Sequence, residues 1–97
     1  MRIISRKALK DFYETHPDAE QPLESWFREA KNADWKDPAA IRAQYGTASI
    51  LKDKLVIFNI GGNRYRLVAR VIFRTHVVYV LFVGTHAEYD AIDPEVL

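Results

Sequence analysis

The sequence predicts an α+β domain in which helices come first and cover one face of an antiparallel β-meander, with a short helix at the C-terminal end. Three observations carry that expectation. Apolar residues recur at helical spacing in the first half, three runs of β-branched and aromatic residues follow Lys54, and 97 residues suffice for a single domain, residues 1–97. Hydrophobic residues make up 48% and charged residues 28%, which excludes wholesale disorder and leaves room for a modest core.

Arg2-Ile3-Ile4 reads as a short β-like segment, and the Ser5 hydroxyl is placed to cap the helix after it. That helix is predicted over Arg6 to Thr15, with Ala8, Leu9, Phe12 and Tyr13 on one side and Lys7, Lys10, Asp11 and Glu14 on the other. Pro17 stops it by forcing its predecessor out of helical dihedrals. Leu23, Trp26, Phe27 and Ala30 mark a second helix ending near Asn32, with both tryptophans, Trp26 and Trp35, read as core or partner contacts. Asp37-Pro38 is a cap followed by proline at the first helical position, so a short helix spans Pro38 to Gln44. Tyr45 to Ser49 reads as loop.

Leu55 to Ile60, Tyr65 to Phe73 and Val77 to Val83 are the predicted strands. Gly61-Gly62-Asn63 supplies residues that tolerate positive φ for the first hairpin, and Arg74-Thr75-His76 makes the second turn. From Thr85 to Ile92 a final helix of about two turns is expected, with Thr85 and Glu88 forming a capping box.

Several chemistries fail early. Cysteine is absent, which removes disulfides, thiolate metal sites and cysteine nucleophiles. His16, His76 and His86 lack the spacing of a dedicated metal site, and neither GxxxxGK nor GxSxG occurs. Gly61-Gly62 is explained by its turn. No apolar run has the length of a signal peptide or a membrane span, so a soluble, unexported, cytoplasmic chain without membrane attachment is expected.

The net charge of +1 offers no global case for a polyanionic partner, yet its distribution does. Residues 1–53 hold 9 basic and 9 acidic side chains, whereas Lys54 to Ala87 holds Lys54, Arg64, Arg66, Arg70 and Arg74 and no acid at all. Strand alternation puts Arg64, Arg66 and Arg70 on one face with Val68 and Ile72, while Tyr65, Leu67, Ala69, Val71 and Phe73 form the core face. A row of guanidiniums on the uncovered face suits a phosphate backbone. The plainer alternative is a solvated face whose arginines pair with acids of the helical half.

His86, just past the third predicted strand, carries an imidazole suited to proton transfer near neutral pH; equally, it reads as a residue of the capping region without chemistry. Tyr89 shares its helix face and offers a stacking ring or a hydroxyl; equally, it seals the core.

Asn59-Ile60-Gly61-Gly62-Asn63-Arg64-Tyr65-Arg66-Leu67-Val68, followed by Val83-Gly84-Thr85-His86-Ala87-Glu88-Tyr89-Asp90, resembles the HigB family of bacterial toxins within the RelE-like superfamily. Ile4-Ser5-Arg6-Lys7-Ala8-Leu9 with Phe12-Tyr13 is similar to that family's N-terminus, so the resemblance spans nearly the whole chain as one RelE-like domain. It implies an endoribonuclease that cuts mRNA on the translating ribosome, uses no metal or other cofactor, and is silenced by a HigA-like helix-turn-helix antitoxin. DNA would be met only through the antitoxin complex. The implied reaction is attack of a ribose 2′-hydroxyl on the adjacent phosphate, which needs a base, an acid and cations for the phosphorane charge.

Carried over residue by residue, Arg66 takes transition-state stabilisation, and Arg64 and Arg70 position RNA beside it. His86 is the general acid or base. Tyr89 stacks on a base or orients the 2′-hydroxyl, and Lys54 resembles the cationic acid or base of other members. Asn59 and Asn63 match the motif, although a positive-φ turn with local hydrogen bonds explains Asn63 without catalysis. Arg74, in a turn, only tunes salt-dependent affinity. The chain departs from RelE members in lacking a basic C-terminal tail, which leaves the identity of the base open. The competing reading is a non-catalytic RNA- or ribosome-binding module, or a decayed toxin kept as partner for its antitoxin.

Overall fold

The computed structural model describes all residues from Met1 to Leu97. In chain order the elements are β1 (Arg2–Ile4), α1 (Arg6–Thr15), α2 (Glu20–Asn32), α3 (Pro38–Gln44), β2 (Ser49–Ile50), β3 (Leu55–Ile60), β4 (Tyr65–Ile72), β5 (Val77–Thr85) and α4 (His86–Asp90). Turns of 3₁₀ helix occupy Pro17–Ala19 and Pro94–Val96. The five strands form one sheet in the order β1-β5-β4-β3-β2. From β2 to β5 every pairing is antiparallel, whereas β1 joins the free edge of β5 in parallel, with Arg2 opposite Val77 and Ile4 opposite Tyr79. The architecture is therefore α+β as expected, but the sheet is a meander with one parallel strand added.

Local signals explain most boundaries. Asp37 accepts a hydrogen bond from the Ala40 amide at 2.9 Å and Pro38 opens α3. Thr85 and Glu88 complete the capping box, Oγ1 accepting from the Glu88 amide at 3.1 Å and the Glu88 carboxylate from the Thr85 amide at 2.8 Å. At Ser5 the expectation does not hold: its hydroxyl makes no cap, and the Ala8 amide turns to the Ser5 backbone carbonyl instead. Ser49, expected in a loop, begins β2, because the Lys52–Leu55 turn folds it back onto Ile57. In that turn Asp53 and Lys54 both sit at positive φ, 59° and 66°, the handedness that matches strand twist. Strand β4 stops at Ile72, β5 continues to Thr85, and α4 is shorter than the two turns expected.

The core lies between the helices and one sheet face. Leu9 of α1, Leu23, Trp26 and Ala30 of α2 and Ile41 of α3 pack with Phe58, Leu67, Ala69 and Val71. Phe58 is its aromatic centre, with ring centroids of Tyr45, Trp26 and Trp35 at 5.2, 5.3 and 5.9 Å. Each such side chain contributes about 1.5–3 kcal/mol by leaving water. The opposite sheet face is not bare. Leu55, Ile57 and Val68 are buried there beneath Leu51, Leu81, Phe82 and Tyr89, so the C-terminal helix lies over a small second cluster.

A bulge makes that second cluster possible. Val68 pairs with Phe82 but Ala69 pairs with Val80, so Leu81 is the extra residue in β5. Val78, Val80 and Val83 consequently face the core, while Leu81 and Phe82 turn consecutively to the other side.

Candidate active site

On β4 the alternation predicted from sequence holds: Tyr65, Leu67, Ala69 and Val71 enter the core, and Arg66 and Val68 face the other way. Arg66 lies between Asn59 on β3 and Gly84 on β5, its cross-strand partners. It is 8% exposed and is the one buried charged side chain of the molecule. Its Nη1 donates to the carbonyls of Asn63 and Tyr65, each at 3.2 Å, and no carboxylate pairs with it. Trp26 Nε1 is the sole fully buried side-chain nitrogen without a partner, so the unbonded Nε and Nη2 of Arg66 reach the surface. A desolvated guanidinium without a counter-charge is costly, and an external anion would offset that cost.

Helix α4 closes over this end of the sheet. The His86 amide donates to the Arg64 carbonyl at 3.2 Å, which hangs the helix start directly beside β4. His86 Nδ1 lies 2.9 Å from the Asp90 carboxylate one turn on. The contact places a carboxylate against one ring nitrogen and leaves Nε2 without a protein hydrogen-bond partner. Asp90 is a contact of His86 not singled out from the sequence; its i,i+4 spacing was the available signal. The acids that α4 brings to the basic face are engaged locally. Asp90 is taken by His86, and Glu88 by the Thr85 amide, whose hydrogen bond holds that carboxyl below its ordinary range.

The other expected site residues divide. Arg64 does not share the Arg66 face. It lies in the hairpin turn before β4, where strand alternation no longer applies, and its guanidinium pairs with Asp18 and sits over the Tyr65 ring. Tyr65 Oη donates to the same carboxylate at 2.6 Å, which lowers the Asp18 pKa and raises that of Tyr65. For this one arginine the plainer sequence reading, pairing with an acid of the helical half, describes the structure. Asn59 stands beside Arg66, but its Nδ2 is committed to the Thr47 carbonyl at 3.1 Å. Asn63 contributes its backbone carbonyl to Arg66, while Gly61 and Gly62, at φ 65° and 72°, take the positive-φ positions in its place.

Lys54 and Arg70 belong to the far end of the sheet. Arg70 pairs across from Leu55, its Nε donating to the Asp53 carbonyl at 3.2 Å, and the Lys54 carbonyl accepts from the Val71 amide. At strand rise, Arg70 is roughly 13 Å from Arg66, and Arg74, in the β4–β5 turn, is about twice that. Lys54 therefore does not join Arg66 and His86. Tyr89 is half-buried against the second cluster, so its ring seals that cluster while its hydroxyl has no protein partner. The polar concavity on α2 lined by Glu20, Gln21, Glu24, Ser25 and Arg28 contains none of these residues. No helix is long and apolar enough to cross a membrane.

One end of the sheet thus presents a guanidinium with unbonded donors and, at the start of α4, a histidine beside a carboxylate, groups suited to binding a phosphodiester and moving a proton. Residues 19–92, which include every one of these side chains, match the family model described as HigB_toxin, RelE-like toxic component of a toxin-antitoxin system. Over 92 residues the chain is 36% identical to the mRNA interferase toxin HigB of Escherichia coli K12, covering 93% of this chain and 88% of that protein. The mRNA interferase HigB of Shigella flexneri is equally similar, and one from Escherichia coli O6:H1 is 28% identical over 93% of this chain and 89% of its own length. With a family match across most of its length and that degree of identity, the chain belongs to the HigB family of toxins.

Proposed function

We propose that this protein is an mRNA interferase, an endoribonuclease toxin that cleaves mRNA in the cytoplasm on the translating ribosome and is neutralised by a HigA-like antitoxin. The observation that carries this reading is Arg66: buried, without a carboxylate, and with two guanidinium nitrogens open to an incoming anion. In this reading the free donors bind the non-bridging oxygens of the scissile phosphate and stabilise the charge that grows on them. His86, with its Nδ1 against Asp90, accepts the proton of the neighbouring 2′-hydroxyl through Nε2. O2′ bonds to phosphorus, the bond from phosphorus to O5′ breaks, and O5′ leaves with a proton from solvent. The products are a 2′,3′-cyclic phosphate and a 5′-hydroxyl. The Tyr89 hydroxyl, free of protein partners, orients the 2′-hydroxyl, and Arg70 with Lys54 tracks the backbone farther along.

The test is to express wild type, Arg66→Ala and His86→Ala in a bacterial host and map mRNA 5′ ends. New 5′-hydroxyl ends that depend on both residues support the reading, and a wild type that neither arrests growth nor cuts RNA overturns it. With Lys54 at the far end of the sheet, a purely binding module is the competing interpretation. Translation inhibition that survives His86→Ala with RNA termini intact would favour it.

A further inference from the structure

Phe82 sits on the Arg66 face through two departures from regular strand structure. Had β5 continued without interruption beyond Val78 and Val80, residue 82 would point into the core, the usual place for a large aromatic side chain. The extra residue Leu81 turns it out instead, and bulges of this kind re-aim side chains beside active sites. The next outward position is Gly84, paired directly with Arg66. A Cβ there would lie 2.5 Å from the Phe82 Cζ and 2.8 Å from its Cε1. The ring therefore lies along β5 in the space that a side chain across from Arg66 would fill, about 5 Å from the Arg66 Cβ by cross-strand spacing. It remains partly exposed, although its neighbours Val68 and Leu55 are fully covered.

We infer that the Phe82 ring is the surface on which the nucleobase next to the scissile phosphate stacks, making Phe82 a substrate-positioning residue of the Arg66 site. The inference rests on the ribonuclease reading above and adds to it a seat for the base. A planar π-face beside a phosphate-binding guanidinium matches the repeat of single-stranded RNA, in which base and phosphate alternate along the chain. Gly84 keeps that seat open, since any side chain there would displace the ring.

The experiment maps RNA 5′ ends over time in cells expressing wild type, Phe82→Leu, Phe82→Trp, Gly84→Ala and Arg66→Ala, with thermal melting of each purified protein. Phe82→Leu keeps the apolar cover but removes the π-face. It is expected to slow cutting roughly 10-fold and to alter the base composition flanking the cuts. Phe82→Trp restores both, and Gly84→Ala acts like the leucine variant by displacing an intact ring. Wild-type rates and unchanged flanking bases in Phe82→Leu would overturn the inference while leaving Arg66-dependent cleavage in place. Equal loss in the leucine and tryptophan variants would also overturn it. If wild type makes no cuts, the ribonuclease reading fails, and this inference with it.

Discussion

The two faces of the sheet are built from alternate residues of the same strands and differ in what they bury. On the helical face the buried residues carry no charged side chain, Trp26 Nε1 is the one buried side-chain nitrogen left unpartnered, and the polar groups near its edge are matched: Tyr65 and Arg64 share Asp18, and Trp35 Nε1 donates to Gln44 at 3.0 Å. On the other face a small apolar cluster adjoins a buried arginine that no carboxylate balances, next to a half-exposed phenylalanine turned out by a bulge. Matching on the first face stabilises the fold. The mismatch on the second costs stability and leaves the Arg66 guanidinium without a counter-charge, which is what the proposed phosphate contact requires.

The contrast is broken most severely at the second face. His86→Ala or Arg66→Ala is expected to lower the rate of RNA cleavage by about 10²–10⁴-fold while the melting temperature does not fall, measured on the same preparations. A large stability loss from either would mean that the second face is structural after all. The adjacent residue on the same strand should do the reverse. Leu67→Ala is expected to cost about 2–5 kcal/mol by denaturant titration, since Leu67 is fully buried among the helices, with cleavage per folded molecule near wild type.

At the far end of the sheet the effects should be smaller. Lys54→Gly removes a cation and relieves a non-glycine residue at φ 66°, so stability rises by up to about 1 kcal/mol while salt-dependent RNA affinity falls a few-fold. Arg74→Ala, in the exposed turn, should change only that salt dependence, and by less. Acid sharpens the comparison from both sides. The Asp18 and Glu88 carboxyls titrate below their ordinary range in the folded state, so their contribution is complete above that range and is lost as pH falls through the lowered values. Asp18→Asn should flatten the acid limb of a stability-versus-pH curve, and an unchanged limb would remove Asp18 from the account.

Much of this was legible because it is local. Helical spacing at Leu23, Trp26 and Ala30, the Asp37-Pro38 cap, the Thr85–Glu88 box and the alternation along β4 each depend on residues a few positions apart. The placement of Arg66 away from the core was legible for the same reason, from alternation along its strand. Arg64 was misassigned because the period of 2 was carried one residue too far, into a turn, and because Asp18 is 46 residues away in sequence. The remoteness of Lys54 from Arg66 became apparent only when register placed Leu55 opposite Arg70.

The sequence by itself determined the helices and the three long strands, the face of β4 that carries charge, and the absence of acid from that stretch. These follow from backbone periodicity and capping chemistry, which act over a turn or a strand. Only the tertiary structure decided that β1 runs parallel to β5, that Arg66 is buried without a counter-ion while Arg64 is not, and that a bulge brings Phe82 over Gly84. Those outcomes depend on pairing register and on desolvation between segments distant in the chain, which no local pattern of residues encodes.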